Sequence, residues 1–300
     1  MKKLLSLFLV LILTCSMAAC VVVEDDIIPP NADTNAAQDE TQSQPDTPAP
    51  AQDATIEETV LLDENGVKIT AKSLEMDTLF GAELKLLIEN NTDKNLTFQS
   101  ANASVNGYMV ETMMSVDVAA GKKANDSLTF MGSDLDLCDI ETIADMEFSF
   151  HVFHTDDWSD YMEDKTVKLQ TSAAATYTYT YDDAGTPVYD ANGMKIVVKG
   201  LSPDSSILGD GLIVYLYNSS DTALCVQTQN CSVNGFMIDP LFSQDVGPGK
   251  HSVSAITFMD TDLEANGITQ ITEVELSFNI FNAESWMDVV DTDPITLNFS

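Results

Sequence analysis

Arginine is absent: every one of the 13 cationic residues is a lysine, set against 48 Asp and Glu for a formal net charge of −35. Without the guanidinium fork that grips phosphate and guanine, and with a field that repels polyanions, nucleic acid is excluded as a partner. Histidine (3), cysteine (5) and tryptophan (2) are scarce as well. His151 and His154 stand three apart in a strand-like run, which turns them to opposite faces and away from a shared metal. There is no Gly-x-Ser-x-Gly, no phosphate-cradling glycine loop and no His-Glu-x-x-His, and carboxylates are too common here to single out a glycosidase pair. Neither enzymatic activity nor a resident cofactor is expected. Long apolar runs are missing too: Leu4 to Leu13 is about half of what a membrane-spanning helix needs.

That short run has a different meaning in its context. Lys2 and Lys3 precede it, and Met17-Ala18-Ala19 follows with Cys20 directly behind. The arrangement resembles a bacterial lipoprotein signal, with Met17 where leucine is usual. The resemblance implies removal of residues 1–19 and acylation of Cys20, hence a chain held at the extracellular face of the cell membrane through its lipid anchor. An ordinary secretory cut after Ala19 is the plain alternative. From Glu24 to Thr55 the sequence is dominated by Pro, Ala, Gln, Asp and Thr and has almost no large apolar residue after Ile28, so residues 20–55 read as a disordered tether. Past Cys20 the cysteines are Cys138, Cys225 and Cys231. The last two are six apart in one strand-like stretch, about 20 Å and beyond disulfide reach, so all three read as small core residues.

The rest is a repeat. Sliding residues 84–169 against 212–297 at an offset of 128 needs no gap, and about 30 of the aligned pairs are identical, far beyond chance. "SVNGYM" at Ser104 thus returns as "SVNGFM" at Ser232, and "NGVKI" at Asn65 as "NGMKI" at Asn192. The repeats are set at residues 56–170 and 171–300. Within each the apolar period is two, in short runs such as "VKITAKSL" and "EFSFHVF" punctuated by Asn, Gly, Asp and Pro, which predicts an all-β domain. Asn106-Gly107 and Asn234-Gly235 suit a type I′ hairpin turn, pairing Val105 with Tyr108 and Val233 with Phe236 on one apolar face. "TDLEANG" from Thr261, with its weaker counterpart at Ser133, predicts a short helix with a capping box that crosses between two sheets.

Few residues offer a binding function. Trp158 and Trp286 share one repeat position in acidic loops after Phe153 and Phe281, as a bivalent binder would have them, or as plugs for the ends of two sandwiches. Tyr177, Tyr179 and Tyr181 in "TYTYTY" predict one aromatic face of a strand, either an edge strand or a stacking platform. Asp134 and Asp136, with Asp260, Asp262 and Glu264, space carboxylates as a calcium loop does, without the glycine and bidentate glutamate of an EF-hand, so calcium is a candidate ligand only.

The pattern "ELKLLIENNTDKNLTFQSANASVNGYMV…SVDVAAGKKANDSLTFMGSDL" with a late "EFSFHVF…DDW" resembles the uncharacterised immunoglobulin-like repeats of lipoproteins from Gram-positive gut bacteria, and through them the immunoprotective-antigen β-sandwich superfamily. The resemblance spans both repeats, with "GPGKH" in the second replacing "AAGKK". It implies two tandem immunoglobulin-like β-sandwiches in a cell-envelope setting and carries no binding residue with it. The expected role is non-enzymatic binding or spacing at the envelope, toward an unidentified protein or glycan. Calcium or small-ligand sensing and accessory carbohydrate binding are the alternatives.

Overall fold

The computed structural model describes residues 54–206 and 208–299. The signal segment, Cys20 and nearly all of the tether lie outside them. The first repeat contributes β1 (Thr59–Glu64), β2 (Val67–Glu75), β3 (Gly81–Asn90), β4 (Leu96–Val105), β5 (Tyr108–Met109), β6 (Thr112–Met113), β7 (Ser115–Val118) and β8 (Lys123–Met131). A helix α1 (Gly132–Leu137), then β9 (Asp145–His154) and β10 (Lys165–Gln170), complete it. The second follows a similar order, with no strand in the place of β6 and one more strand after its helix: β11 (Thr186–Ala191), β12 (Met194–Ser206), β13 (Gly209–Asn218), β14 (Leu224–Val233), β15 (Phe236–Met237), β16 (Ser243–Val246) and β17 (His251–Met259). After α2 (Asp260–Ala265) come β18 (Glu273–Asn282), β19 (Asp288–Asp291) and β20 (Ile295–Asn298).

These strands form an all-β sandwich architecture of three sheets. One has the order β1-β2-β3-β8-β6, and a third is built on β14 and β18. The middle sheet runs β10-β9-β4-β5-β17-β13-β12-β11 and so crosses from one repeat to the other. The crossing is narrow: β5 meets β17 in parallel at the single pair Tyr108–His251, where the His251 N–H donates to Gly107 O at 2.9 Å.

Alternation of side chains decides which face is dry. Along β3 every second residue, Ala82, Leu84, Leu86 and Ile88, is buried, while the residues between them keep some solvent. Phe98, Phe130, Phe148 and Phe150 are fully buried in the first cluster, Phe148 meeting Phe130 and Phe150 edge-on with ring centres 6.0 and 5.4 Å apart. Each such ring contributes roughly 1.5–3 kcal/mol of transfer free energy. A second cluster around Leu212, Val226, Phe258 and Phe278 lies between the other half of the middle sheet and the third sheet. The first cluster also takes in Val197, Tyr215 and Val253 from the second repeat, so its packing continues across the narrow crossing.

The I′ turns form as predicted, with Asn106 at φ 51° and Gly107 at 85°, Asn234 at 50° and Gly235 at 81°. Val105 faces Tyr108 and Val233 faces Phe236. The apolar face does not follow equally: Tyr108 is 5% exposed but Phe236 is 47% exposed. Tyr108 is covered by Tyr181 and His251 of the second repeat, and among the described residues Phe236 has no such cover. Cys138, Cys225 and Cys231 are free and buried, each thiol pushed up to about 12 by burial.

Three expectations need correction. The helices exist and cross between sheets, but their N-caps are Met131 and Met259 and no side-chain capping bond is made, because the helix starts one or two residues earlier than the Ser/Thr signal. "TYTYTY" forms no strand; β11 begins only at Thr186. Tyr181 stacks instead on His251 and the Tyr179 hydroxyl donates to Asp145, so side-chain contacts and not ladder bonds fix this segment. At the boundary set at residue 56, the last two residues read as tether belong to the folded part: Ala54 is buried, and Thr55 O accepts from the Ser172 N–H at 2.8 Å.

Candidate functional site

Each tryptophan closes a tight turn directly after a core strand. The Trp158 N–H donates to His154 O and the Trp286 N–H to Asn282 O, both at 2.9 Å, and the backbone sits at φ 62° and 59°. A bulky residue at positive φ is an outlier that carries a backbone cost of roughly 1–3 kcal/mol. What the conformation achieves is an outward indole. Trp158 is 75% and Trp286 74% exposed, each laid nearly parallel on the phenylalanine before the turn: Phe153 at 5.5 Å and 17°, Phe281 at 5.6 Å and 19°. The reading of the indoles as plugs for sandwich ends is overturned, since a plug would be buried.

Local polar bonds hold both turns. In the first, Asp157 Oδ1 accepts from the Ser159 N–H at 3.0 Å and hydroxyl at 2.6 Å, which holds its carboxyl below the usual range. In the second, Asn282 Oδ1 accepts from the N–H groups of Glu284 and Ser285 and from the Ser285 hydroxyl. Behind the first turn His151 Nδ1 lies 2.7 Å from Asp164, while His154 packs edge-on to Tyr161, so the two imidazoles do not converge. Each turn thus offers a free aromatic face beside carboxylates and turn amides. Such a face stacks against the apolar side of a sugar ring or another ring.

The tyrosines are not a platform. Tyr181 is half-buried, 3.6 Å from the His251 ring at 12°, and Tyr217 covers the other side of that imidazole at 4.5 Å. Tyr215 shares a 2.6 Å hydrogen bond with His251 Nδ1, and burial lowers the imidazole to about 4, so it is neutral at pH 7. Tyr177 meets Tyr179 edge-on at 5.0 Å.

Nor are the acidic residues gathered. Asp136, Asp260 and Glu264 are exposed, Asp262 is half-buried, and among the described residues no three His, Cys, Asp or Glu side chains converge so as to hold a metal ion. Asp134 is different, because its Oδ2 accepts from the Glu111 N–H at 2.6 Å on the wall of a cleft of about 630 Å³ between the repeats. Glu111, Asp134 and Asp245 all line this cleft, together with Met109, Ile213 and Val253. Desolvation by the walls raises the Asp134 carboxyl, and raises Glu111 with further help from Asp134 and Asp245, although Glu111 keeps solvent access.

No family model matches the chain, and no curated protein does. Solved structures to which it is similar include the YadV chaperone, at 10% identity and a TM-score of 0.23 over 72% of this chain and 92% of that one. The Salmonella enterica SafA pilin in complex with the SafB chaperone matches at 9% identity and a TM-score of 0.22, over 72% and 89%. A Porphyromonas gingivalis W83 protein of unknown function matches at 13% identity and a TM-score of 0.21, over 78% and all of that chain. Likeness at this level carries nothing about what the present chain binds.

The cleft and the aromatic cluster around His251 escaped sequence reasoning. Glu111 and Asp245 sit in polar loops that look like any other, and His251 reads as an isolated histidine. One signal was available: the exchange of Lys123 for His251 at the same repeat position marks a place where the repeats are used differently.

Proposed function

We propose that the protein is a non-enzymatic, lipid-anchored cell-surface protein of the immunoglobulin-like repeat type that binds envelope glycan through its two tryptophan turns. Cys20 is its membrane anchor and residues 56–170 and 171–300 are its two binding domains. The observation that supports the glycan reading over the spacer reading is the pair of free indole faces, repeated at one position with the same backbone outlier and the same phenylalanine support. A spacer has no use for two solvent-facing indoles. The surrounding carboxylates suit hydroxyl-rich neutral or amino sugars and disfavour polyanionic glycans.

Titration of the full chain with neutral and amino-sugar polymers, read by indole fluorescence, tests this. Emission starts at the long wavelength of exposed indole and shifts to the blue as glycan covers the faces. With two linked sites, Trp158→Ala or Trp286→Ala alone should weaken binding of a polymer by about 100-fold and of a short oligosaccharide by only about twofold. Unmoved emission, or equal binding by the double variant, would remove the glycan reading. The acid residues of the calcium alternative enter the same experiment: a glycan response that needs millimolar calcium would restore that reading.

A further inference from the structure

The same hairpin is used in two ways. In the first repeat Gly107 packs against the Tyr181 ring, Gly107 O accepts from the His251 N–H, and Tyr108 is buried beneath the second repeat. In the second repeat the intradomain scaffold of the hairpin is kept: Asn234 Nδ2 donates to Gln270 O as Asn106 Nδ2 does to Thr142 O. Yet nothing lies within 4 Å of a side-chain position at Gly235, and Phe236, Leu241 and Met237, the last 71% exposed, face solvent. Among the described residues nothing covers the tip of the second hairpin.

The receiving side recurs as well. In the second repeat it is the outer edge of β17 with the turn before it, where Lys250 Nζ reaches Glu147 of the first repeat at 2.8 Å. Moving by 128 positions maps Lys250 onto Lys122 and Glu147 onto Glu275. Gly121 and Gly249 have φ of 67° and 68°, and Lys122 and Lys250 donate back to Ala119 O and Gly247 O, so both turns present the lysine in one way. Among the described residues Lys122 and Glu275 are exposed and have no ion-pair partner. The outer edge of β8 is paired with β6 only at Thr129 and Phe130, which leaves its Lys123 end open.

We propose that the tip at Phe236–Met237 seats on the β8 edge in the first repeat of a second copy of this chain, with Glu275 pairing to that copy's Lys122. The β17 edge of the second copy is already filled by its own first repeat, so its β8 edge is the one left. The repeats do not differ in overall charge, with 23 Asp and Glu against eight lysines in residues 56–170 and 17 against three in 171–300, so the choice rests on the local match of Glu275 to Lys122, the counterpart of Glu147 and Lys250. The contact differs from the intrachain one. Tyr108 is received by the rings of Tyr181, 5.3 Å away, and His251, 5.8 Å away, whereas Lys123 stands in the place of His251, and Leu87, Glu89 and Asn125 stand in the places of its neighbours Tyr215, Tyr217 and Val253, which makes the contact more polar and weaker. Lys123 in the place of His251 sets a cation beside the Phe236 ring. Because tip and edge are different surfaces, the association is head-to-tail and does not close on itself.

Sedimentation velocity of the full chain across micromolar to millimolar concentration tests this, with circular dichroism and melting curves to verify that each variant folds. The average mass should rise continuously past that of a dimer. Phe236→Glu, Lys122→Glu and Glu275→Lys should each weaken association about tenfold or more, and Lys122→Glu combined with Glu275→Lys in one chain should restore it. Mixing Phe236→Glu with Lys122→Glu chains should give dimers and nothing larger, since one intact tip and one intact edge remain. A chain that stays monomeric overturns the proposal. So does a dimer that Phe236→Glu abolishes, Lys122→Glu leaves intact and mixing fails to rescue, because the tips would then be pairing with each other.

Discussion

Asparagine does much of the local work in this chain, and it does so in matched pairs. Asn65 and Asn192, Asn102 and Asn230, and Asn106 and Asn234 all lie at φ near 50°, where a short amide side chain is tolerated and a branched one is not. Asn106 also accepts from the N–H groups of Ala144 and Asp145 and donates to Thr142 O, tying the hairpin to the start of β9. Asn106→Gly keeps the backbone but frees those groups, and should cost about 1–3 kcal/mol in urea denaturation, with Asn106→Ala costing more through its Cβ. His251 gives a pH signature. Its folded value of about 4 lies below the 6.5 of an unperturbed imidazole, so between those limits the unfolded chain binds a proton that the folded chain refuses. Stability is therefore present above pH 6.5 and is lost as pH falls toward 4, by up to about 3 kcal/mol. Asp183 opposes this loss and Lys250 adds to it, while Glu111 and Asp134, with raised carboxyls, gain protons on folding and act in the opposite direction. Melting temperatures measured from pH 7.5 to 4 should fall less steeply for His251→Phe, which keeps the ring between Tyr181 and Tyr217 and removes the proton site.

For the elements, position in the repeat predicts secondary structure well and burial poorly. The strands, the two I′ turns and the two short helices recur where the alternating runs and the Asn-Gly pairs place them, because these depend on chain-local stereochemistry. What each hairpin touches depends on the neighbouring repeat, and no period in the sequence encodes that. Tyr108→Ala removes a buried ring and should cost about 3 kcal/mol or more, whereas Phe236→Ala at the equivalent position should change stability by less than about 1 kcal/mol. Equal costs in chemical denaturation would mean that Tyr108 is not covered. The tyrosine segment differs from its pattern for a related reason: alternating Thr and Tyr has strong β propensity, but the segment makes no ladder and Tyr181 stacks on His251 of the neighbouring strand, a contact that no local pattern encodes. The tryptophans were legible as a pair and not as outward, since a left-handed backbone at Trp has no sequence signature.

On the scale of the whole molecule, the repeats are coupled more tightly than tandem sequence copies suggest. The first core cluster includes Val197, Tyr215 and Val253, the middle sheet is continuous at Tyr108–His251, and Glu147 receives both Lys168 and Lys250. Opening the second repeat would expose part of the first core, so the two should melt together. Calorimetry of the full chain at pH 7 should show a single transition from residues 54–299, with calorimetric and van't Hoff enthalpies in agreement. Tyr108→Ala with Glu147→Ala removes the aromatic seat and the ion pair while leaving the second cluster untouched. That variant should resolve into two transitions, the lower one belonging to the first repeat, whose cluster has lost its cover. Added salt should then raise both, because a chain of net charge −35 repels itself and screening relieves the repulsion within each repeat. Two transitions in the unmodified chain would mean that the crossing at His251 is a point of contact and not of coupling.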